Sequence, residues 1–422
     1  MLLGTPFGLC SGGPSICAAA GKFSGARTCD VQQQVVFQGW EMEFNAEGAG
    51  AEELLREGRF GGHEYGASKA MQGLVVPVVL SGGGGSRLWP YSTKQTPKQF
   101  LPLVGDRTLY EQALDRVRDA RSFTAPVVVG SMDHAEFCEA GLAAYGKEAR
   151  VILEPIARNT AAAIIMAAIV VRDLHGEDAV LLVMPSDHVI DDVEEFHRAI
   201  RSGEAAARAG RLVTFGIRPS SADAGYGYLQ TGNEVPGAPG VRDVARFVEK
   251  PQVDVAEAMV AGGDYLWNAG IFLFSASTLL DEAARTCPAI AEAASMAIAA
   301  SQTDGIRLMP DADSLASCPS ESIDYAVMEL SSRVATVPMA PGWSDVGSWD
   351  ALVEIIGNGR ETGPVTAVDC ENCYIRSEAV EIAALGLRDL IVVSAGSKLL
   401  ILPRGRSQEV KGLLAAMDLK VA

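Results

Sequence analysis

Residues 80–90 read Leu-Ser-Gly-Gly-Gly-Gly-Ser-Arg-Leu-Trp-Pro, the strongest chemical signal in the chain. Gly82, Gly83 and Gly85 have no β-carbon, so their N–H groups can approach phosphate oxygens closely. Arg87 adds a planar, permanently charged fork for phosphate. Lys98, in Pro97-Lys98-Gln99-Phe100, supplies a second cation. A glycine cluster alone also makes an ordinary tight turn. Glycines at the end of an apolar strand, followed by two cations, point instead to a polyphosphate ligand. Two common nucleotide motifs do not fit. Walker A requires Gly-Lys-Ser/Thr at a fixed spacing, which is missing here. The dinucleotide fingerprint beginning at Gly82 and Gly84 would require glycine at 87, which is arginine.

Other candidate residues have bland readings when taken singly. Asp187 follows a buried strand and so lies at a carboxyl end. Asp345 lies in a Trp-Ser-Asp-Val-Gly turn. An isolated aspartate at either place is a helix cap or turn residue. Asn159 and Thr160 precede an apolar helix and read as its cap. Glu249 and Lys250 stand before Pro251 as an ordinary exposed pair, and Gly227 and Asn268 read as turn residues. Cys370 and Cys373 form one CxxC, but a structural zinc site needs a second ligand pair and no other CxxC or HxxxH exists. Eight cysteines are too sparse for a disulfide scaffold, and the five histidines show no ligand spacing.

These residues need a scaffold, and the pattern from Val75 onward supplies one. Strands are expected at Val75–Leu80, Pro126–Gly130, Arg150–Leu153, Ala179–Met184 and 211–216. Helices are expected from a capping box at Thr108-Leu109-Tyr110-Glu111 to about Ala120, then over Asp133–Tyr145, Thr160–Leu174 and 192–210. This alternation predicts a mostly parallel α/β sheet with helices on both faces, whose ligands bind beyond the carboxyl ends of the strands. After about Val365, short strands (Cys373–Ile375, Leu390–Val393, Lys398–Leu402) and a helix over Ser407–Met417 predict a small β-rich C-terminal domain. Residues 1–70 lack apolar periodicity and read as a poorly ordered extension, with a short helix at Ala51–Glu57 and Met71 as an alternative start; an ordered appendage packed on the main domain is the other reading. The domains are thus 1–70, 74–360 and 361–422.

Composition narrows the class. At roughly 100–200 residues per domain, 422 residues predict two or three domains. With 53 acidic against 35 basic residues the net charge is −18, which disfavours nucleic acid and anionic lipid as partners. Apolar residues at 48% and charged residues at 21% rule out disorder over most of the chain. The longest apolar run, Ala161–Val171, is too short for a membrane span. Low cysteine content and no basic leader predict a cytoplasmic protein.

The segment LSGGGGSRLWPYSTKQTPKQFLPL resembles the signature of the sugar-nucleotide pyrophosphorylases, specifically the mannose-1-phosphate guanylyltransferases. Further blocks follow in order: Glu154-Pro-Ile-Ala-Arg-Asn-Thr-Ala161, Met184-Pro-Ser-Asp-His188, Gly225-Tyr-Gly-Tyr228, Phe247-Val-Glu-Lys-Pro251, Trp267-Asn-Ala-Gly-Ile-Phe272, Ser322-Ile-Asp-Tyr-Ala-Val-Met-Glu329 and Trp343-Ser-Asp-Val-Gly-Ser-Trp349. The resemblance covers about 74–420. It implies a Rossmann-like (GT-A-like) nucleotidyltransferase domain, in the short form that lacks a C-terminal isomerase cupin. It also implies GMP transfer from GTP to mannose 1-phosphate, giving GDP-mannose and pyrophosphate.

The resemblance assigns roles. Asp187 and Asp345 would hold Mg²⁺. Arg87, Lys98 and Asp187 would serve catalysis, with Gly82, Gly83, Gly85, Asn159 and Thr160 on the nucleotide. Gly227, Glu249, Lys250 and Asn268 would hold the sugar phosphate, with Asp324 in support. His188 reads as a tuning or packing group rather than a catalytic one, and Trp267, Trp343 and Trp349 as packing. A homodimer is the candidate assembly. The sequence departs from the family pattern at Ser86, Ala162, Ala224, Ala269 and Leu330, where Thr, Pro, Thr, Ser and Lys are usual. These departures bear on sugar specificity and turnover. Two alternatives stay open: a nucleotidyltransferase for another base or sugar, and a non-catalytic sensor of sugar nucleotide.

Overall fold

The computed structural model describes residues 73–83, 85–357 and 361–417. The expected extension over 1–70 and its short helix lie outside the described residues. Strand β1 (Val75–Ser81) is buried on both faces: Val76 and Val78 enter one core cluster, Val75 and Val79 another. Such a strand belongs inside a covered parallel sheet. Thr108 opens α1 (Leu109–Asp115) with a complete capping box. Its hydroxyl accepts from Glu111 N (3.1 Å), and the Glu111 carboxylate accepts from Thr108 N (2.9 Å). The helix ends at Asp115 rather than near Ala120, because Asp119 turns the chain: its carboxylate accepts from Arg121 N and its carbonyl from Phe123 N.

The alternation continues through β2 (Val127–Ser131), α2 (Ala135–Leu142), β3 (Arg150–Glu154), α3 (Asn159–His175), β4 (Val180–Pro185), β5 (Val189–Ile190), α4 (Val193–Arg208) and β6 (Leu212–Ile217). Helix α2 is shorter than expected, because Gly146 at φ +59° bends the following turn out of helical geometry. Next come β7 (Gly227–Glu234), β8 (Arg242–Glu249), α5 (Val253–Gly262), β9 (Tyr265–Ser275), α6 (Ala276–Thr286), α7 (Pro288–Ala299), β10 (Gln302–Asp304), β11 (Arg307–Met309), α8 (Ala312–Ala316) and α9 (Ile323–Ala326). β12 (Val334–Met339), β13 (Trp343–Ser344) and α10 (Trp349–Ile356) follow. The apolar run Ala161–Val171 of α3 is buried throughout, packed among the sheet, α6 and α7.

The main sheet has the order β10-β11-β3-β2-β1-β4-β9-β6-β12-β8-β7. Its left half, β11-β3-β2-β1-β4, and the pair β6-β12 are parallel; β7, β8, β9 and β10 run antiparallel to their neighbours. The fold is the expected α/β class, with a mixed sheet. β1 and β4 are adjacent and parallel, with Leu80 opposite Pro185, so the glycine loop and the Asp187 turn leave the same edge.

The C-terminal segment is β-rich: β14 (Glu361–Thr362), β15 (Val365–Val368), β16 (Tyr374–Ser377), β17 (Ile382–Leu385), β18 (Leu390–Ala395) and β19 (Lys398–Pro403) precede α11 (Val410–Ala416). β14-β16-β18-β19 form one sheet and β15-β17 another. Val410 and Leu414 of α11 join a buried cluster with Leu88, Trp89 and Trp349, and Trp349 Nε1 donates to Trp89 O at 2.9 Å. Among the described residues no helix is long and apolar enough to cross a membrane.

Candidate active site

The glycine loop has two kinds of glycine. At Gly82 and Gly83 a β-carbon would meet nothing within 4 Å, so both backbones border open space. At Gly85, with φ +54°, it would lie 2.8 Å from Ser92 Oγ and 2.9 Å from Lys98 Cγ. Only glycine lets the Lys98 stem lie against the loop. Arg87 follows in a 3-10 turn, exposed beside the buried Leu88. Lys98 is anchored by its neighbours: Gln99 and Phe100 are buried, and Phe100 stacks on Phe137 at 4.7 Å. Its Nζ reaches Asp187 Oδ2 (3.0 Å), Asp345 O (2.7 Å) and Val346 O (3.3 Å). One cation therefore ties together three segments far apart in sequence.

The Asp187 turn is held from both sides. Ser186 N donates to Leu80 O (2.9 Å), and the buried Arg116 donates to His188 O (2.6 Å). Burial pushes the Asp187 carboxyl up, but Lys98 and His188 outweigh it and hold the group below its ordinary range. Burial also lowers the His188 imidazole, against Asp187 and Asp345, and its Nδ1 accepts from Trp343 Nε1 at 3.1 Å. His188 also packs edge-on against the Trp343 ring, with centroids 5.5 Å apart. Asp345 Oδ1 accepts from Tyr226 OH (2.9 Å) and Gly347 N (3.1 Å). The next residue, Val346, is fully buried at φ +48°, a rare conformation for a β-branched side chain. It turns its carbonyl toward Lys98.

Asp187 and Asp345 fit a hard divalent cation. Both offer carboxylate oxygens, and a single positive charge already draws their two turns together. Asp345 Oδ2 takes part in none of these hydrogen bonds. Among the described residues no group of three or more His, Cys, Asp or Glu converges as a metal cage. Two carboxylates completed by ligand phosphates are the usual arrangement for Mg²⁺. A cavity of about 240 Å³ opens here, lined in part by Gly85, Arg87, Lys98 and Asp345.

A second polar cluster lies on β7, β8 and β9. Gly227 faces Glu249 across β7-β8, and a β-carbon on Gly227 would overlap Glu249 Oε2. Asn268 is buried and fully orientated: Oδ1 accepts from Thr214 Oγ1 (2.7 Å) and Gly270 N (3.2 Å), and Nδ2 donates to Asp324 Oδ1 (2.9 Å). Glu249 N donates to Glu329 Oε1 (2.6 Å) and its carboxylate pairs with Lys250, which sits at φ +49°. Burial, then the charge of Glu249, pushes Asp324 up to about 7. Tyr226, next to Gly227, bonds to Asp345 and so joins the two clusters.

Asn159 and Thr160 follow β3, which lies two strands from β1 in the sheet. Asn159, at φ +63°, is exposed and accepts from Thr160 N (2.8 Å). Thr160 Oγ1 accepts from Ile323 N (2.9 Å), fastening α3 to α9 and so to Asp324. The cap position is Arg158, whose guanidinium donates to Leu315 O and Ala316 O. Nearby, Glu154 ends β3. It is buried, its Oε1 has no partner within the protein, and burial pushes it up to about 7.

Sequence reasoning left the Tyr226 hydroxyl and Glu329 without roles, although both lie in quoted blocks. Arg116 had no local signal, since its target is a carbonyl 72 residues away.

The model of the family described as nucleotidyl transferase matches residues 76–361, and one described as a MannoseP isomerase/GMP-like beta-helix domain matches 363–417. The chain is 40% identical over 350 residues to the alginate biosynthesis protein AlgA of Pseudomonas putida, covering 82% of this chain and 72% of that protein. It is 40% identical over 344 residues to a mannose-1-phosphate guanylyltransferase of Klebsiella pneumoniae, covering 80% and 73%. A crystal structure described as mannose-1-phosphate geranyltransferase from Thermus thermophilus superposes with a TM-score of 0.70 at 29% identity, covering 82% of this chain and 99% of that one.

Proposed function

The chain belongs to the nucleotidyl transferase family, and on that premise we propose that it transfers GMP from GTP to mannose 1-phosphate, giving GDP-mannose and pyrophosphate. The observation that carries this is the Lys98 junction, which gathers the glycine loop, Asp187 and the Asp345 turn at one sheet edge, beside a pocket that also holds Arg87. The relatives named as guanylyltransferases support the base and the sugar.

A phosphate oxygen of mannose 1-phosphate attacks the α-phosphorus of GTP. A new P–O bond forms and the α–β bridging P–O bond breaks, its electrons leaving with pyrophosphate. The attacking oxygen is already anionic, so positioning and charge neutralisation carry the rate. Backbone N–H groups at Gly82, Gly83 and Gly85 cradle phosphates, and Arg87 and Lys98 neutralise them. Asp187 and Asp345 would hold Mg²⁺, which supplies charge neutralisation of the phosphates when bound. Glu249 and the orientated amide of Asn268 receive mannose hydroxyls, Lys250 pairs with the sugar phosphate, and Gly227 leaves room for the sugar. Asn159 and Thr160 border the base. The reaction belongs in the cytoplasm, where GTP is available.

The test is Mg²⁺-dependent pyrophosphate release, crossing GTP, ATP, UTP and dTTP with mannose, glucose and N-acetylglucosamine 1-phosphates. Release confined to GTP with mannose 1-phosphate is expected. Preference for another pair would move the specificity, and no release from folded protein would overturn the reaction.

A further inference from the structure

The cavity beside the glycine loop has a wall from the far end of the described chain. Besides Gly85, Arg87, Lys98 and Asp345, it is lined by Lys411 of α11. We propose that Lys411 is a third cation for the polyphosphate end of the nucleotide, so that the C-terminal helix completes the phosphate pocket. This rests on the guanylyltransferase reading and adds a residue to it.

The charges around the cavity call for such a group. Arg87 and Lys98 are two cations, Asp187 and Asp345 two carboxylates, and Lys98 is already engaged with Asp187. These four side chains sum to zero before a divalent cation binds, whereas a triphosphate or pyrophosphate brings several negative charges. Lys411 tips the pocket positive. It is exposed and takes part in no ion pair among the described residues, so its ammonium is available to a ligand.

Its placement is built into the fold. Val410 and Leu414 are 2% and 1% exposed, locked against Leu88, Trp89 and Trp349, which leaves the intervening Lys411 facing out. The approach to α11 is clamped by Asp350, in the first turn of α10. Its carboxylate accepts from Arg404 Nε (3.1 Å), Gly405 N (2.9 Å) and Ser407 N (3.1 Å), and Asp350 N donates back to Ser407 Oγ (3.0 Å). Helix α10 begins four residues after Asp345. The turn that carries one carboxylate of the site therefore also fixes the lysine.

The test uses the full chain with Lys411→Ala, Lys411→Glu and Lys411→Arg, and Lys398→Ala on the exposed strand β19 as control. Binding of inorganic pyrophosphate in Mg²⁺ buffer is read by calorimetry, and KM is read for GTP and for mannose 1-phosphate. Lys411→Ala is expected to weaken pyrophosphate binding and raise the GTP KM about tenfold, as loss of one partly solvated charge-assisted contact does. Lys411→Glu should do more, and Lys411→Arg should restore most of both. Lys398→Ala and the KM for mannose 1-phosphate should not move. Normal turnover with unchanged pyrophosphate affinity in both Ala and Glu variants would overturn the assignment while leaving the reaction intact. No turnover in any protein, with pyrophosphate binding still sensitive to Lys411, would keep the assignment and remove the reaction. Failure of the wild-type chain to bind pyrophosphate would overturn the assignment.

Discussion

Glu154→Gln should stabilise the protein, and increasingly so as the pH rises. Glu154 is 8% exposed at the end of β3, and its Oε1 has no partner within the protein. Burial alone moves its carboxyl from 4.5 to about 7. The folded state therefore keeps a proton that the unfolded chain has already released. Where the folded state binds more protons, stability falls as pH rises. Below pH 4.5 the residue is neutral in both states and there is no penalty. Above pH 7 the step from 4.5 to about 7 corresponds to roughly 3 kcal/mol. About 2 kcal/mol of that develops between pH 5.5 and 8.5. Glutamine keeps the shape and removes the charge, so the variant loses this slope. Urea unfolding of both proteins at pH 5.5, 7 and 8.5 measures it, as a difference that widens by about 2 kcal/mol across the series. A constant difference, or a variant less stable at pH 8.5, would refute the reasoning and mean that the carboxylate finds a compensating partner.

Three further outcomes are expected. Asp187→Asn should lower turnover by about two orders of magnitude or more with folding intact, since it removes the charge paired with Lys98 and the carboxylate offered to a cation; wild-type-like turnover would sink that role. Gly227→Ala should raise the KM for mannose 1-phosphate about tenfold by displacing Glu249, with the GTP KM unmoved; equal shifts in both would point to general distortion. Asp350→Ala should cost about 2–3 kcal/mol at neutral pH, since four donors (Arg404 Nε, Gly405 N, Ser407 N and Ser407 Oγ) lose one charged, partly buried acceptor. Burial raises the Asp350 carboxyl, but these donors outweigh it and hold it below its ordinary value. Its contribution is thus present above the unfolded pKa and lost as pH falls through the folded one, and acid unfolding curves of the two proteins should converge.

The β-α alternation was legible because its signals are local. β1 and α3 are continuous apolar runs, and α1 announces itself through a capping box within four residues. β7 and β8 escaped because their burial is patchy, with exposed ends and no unbroken apolar stretch. That half of the sheet exists through pairing with β9 and β12, which no local pattern encodes. The site divides in the same way. Glycines, cations and aspartates were readable as residue types in ordered blocks. Their convergence was not, since Lys98 meets the Asp345 carbonyl across 247 residues. Thr160 shows the limit of type alone: its hydroxyl is engaged by Ile323 N, a bond that only the folded chain reveals.

The bond from Trp349 to the Trp89 carbonyl spans 260 residues and anchors the cluster that Val410 and Leu414 complete. Closing so long a loop is thermodynamically mild, since each doubling of loop length adds only about 0.6 kcal/mol. Kinetically it is late, because non-local contacts form after local ones. On the ribosome, β1 to β12 emerge before α11, the helix that packs against Leu88 and Trp89, is made. The wall that α11 adds to the cavity is therefore made only after every strand of the main sheet, so the sheet and the phosphate pocket proposed above are completed at different points along the chain.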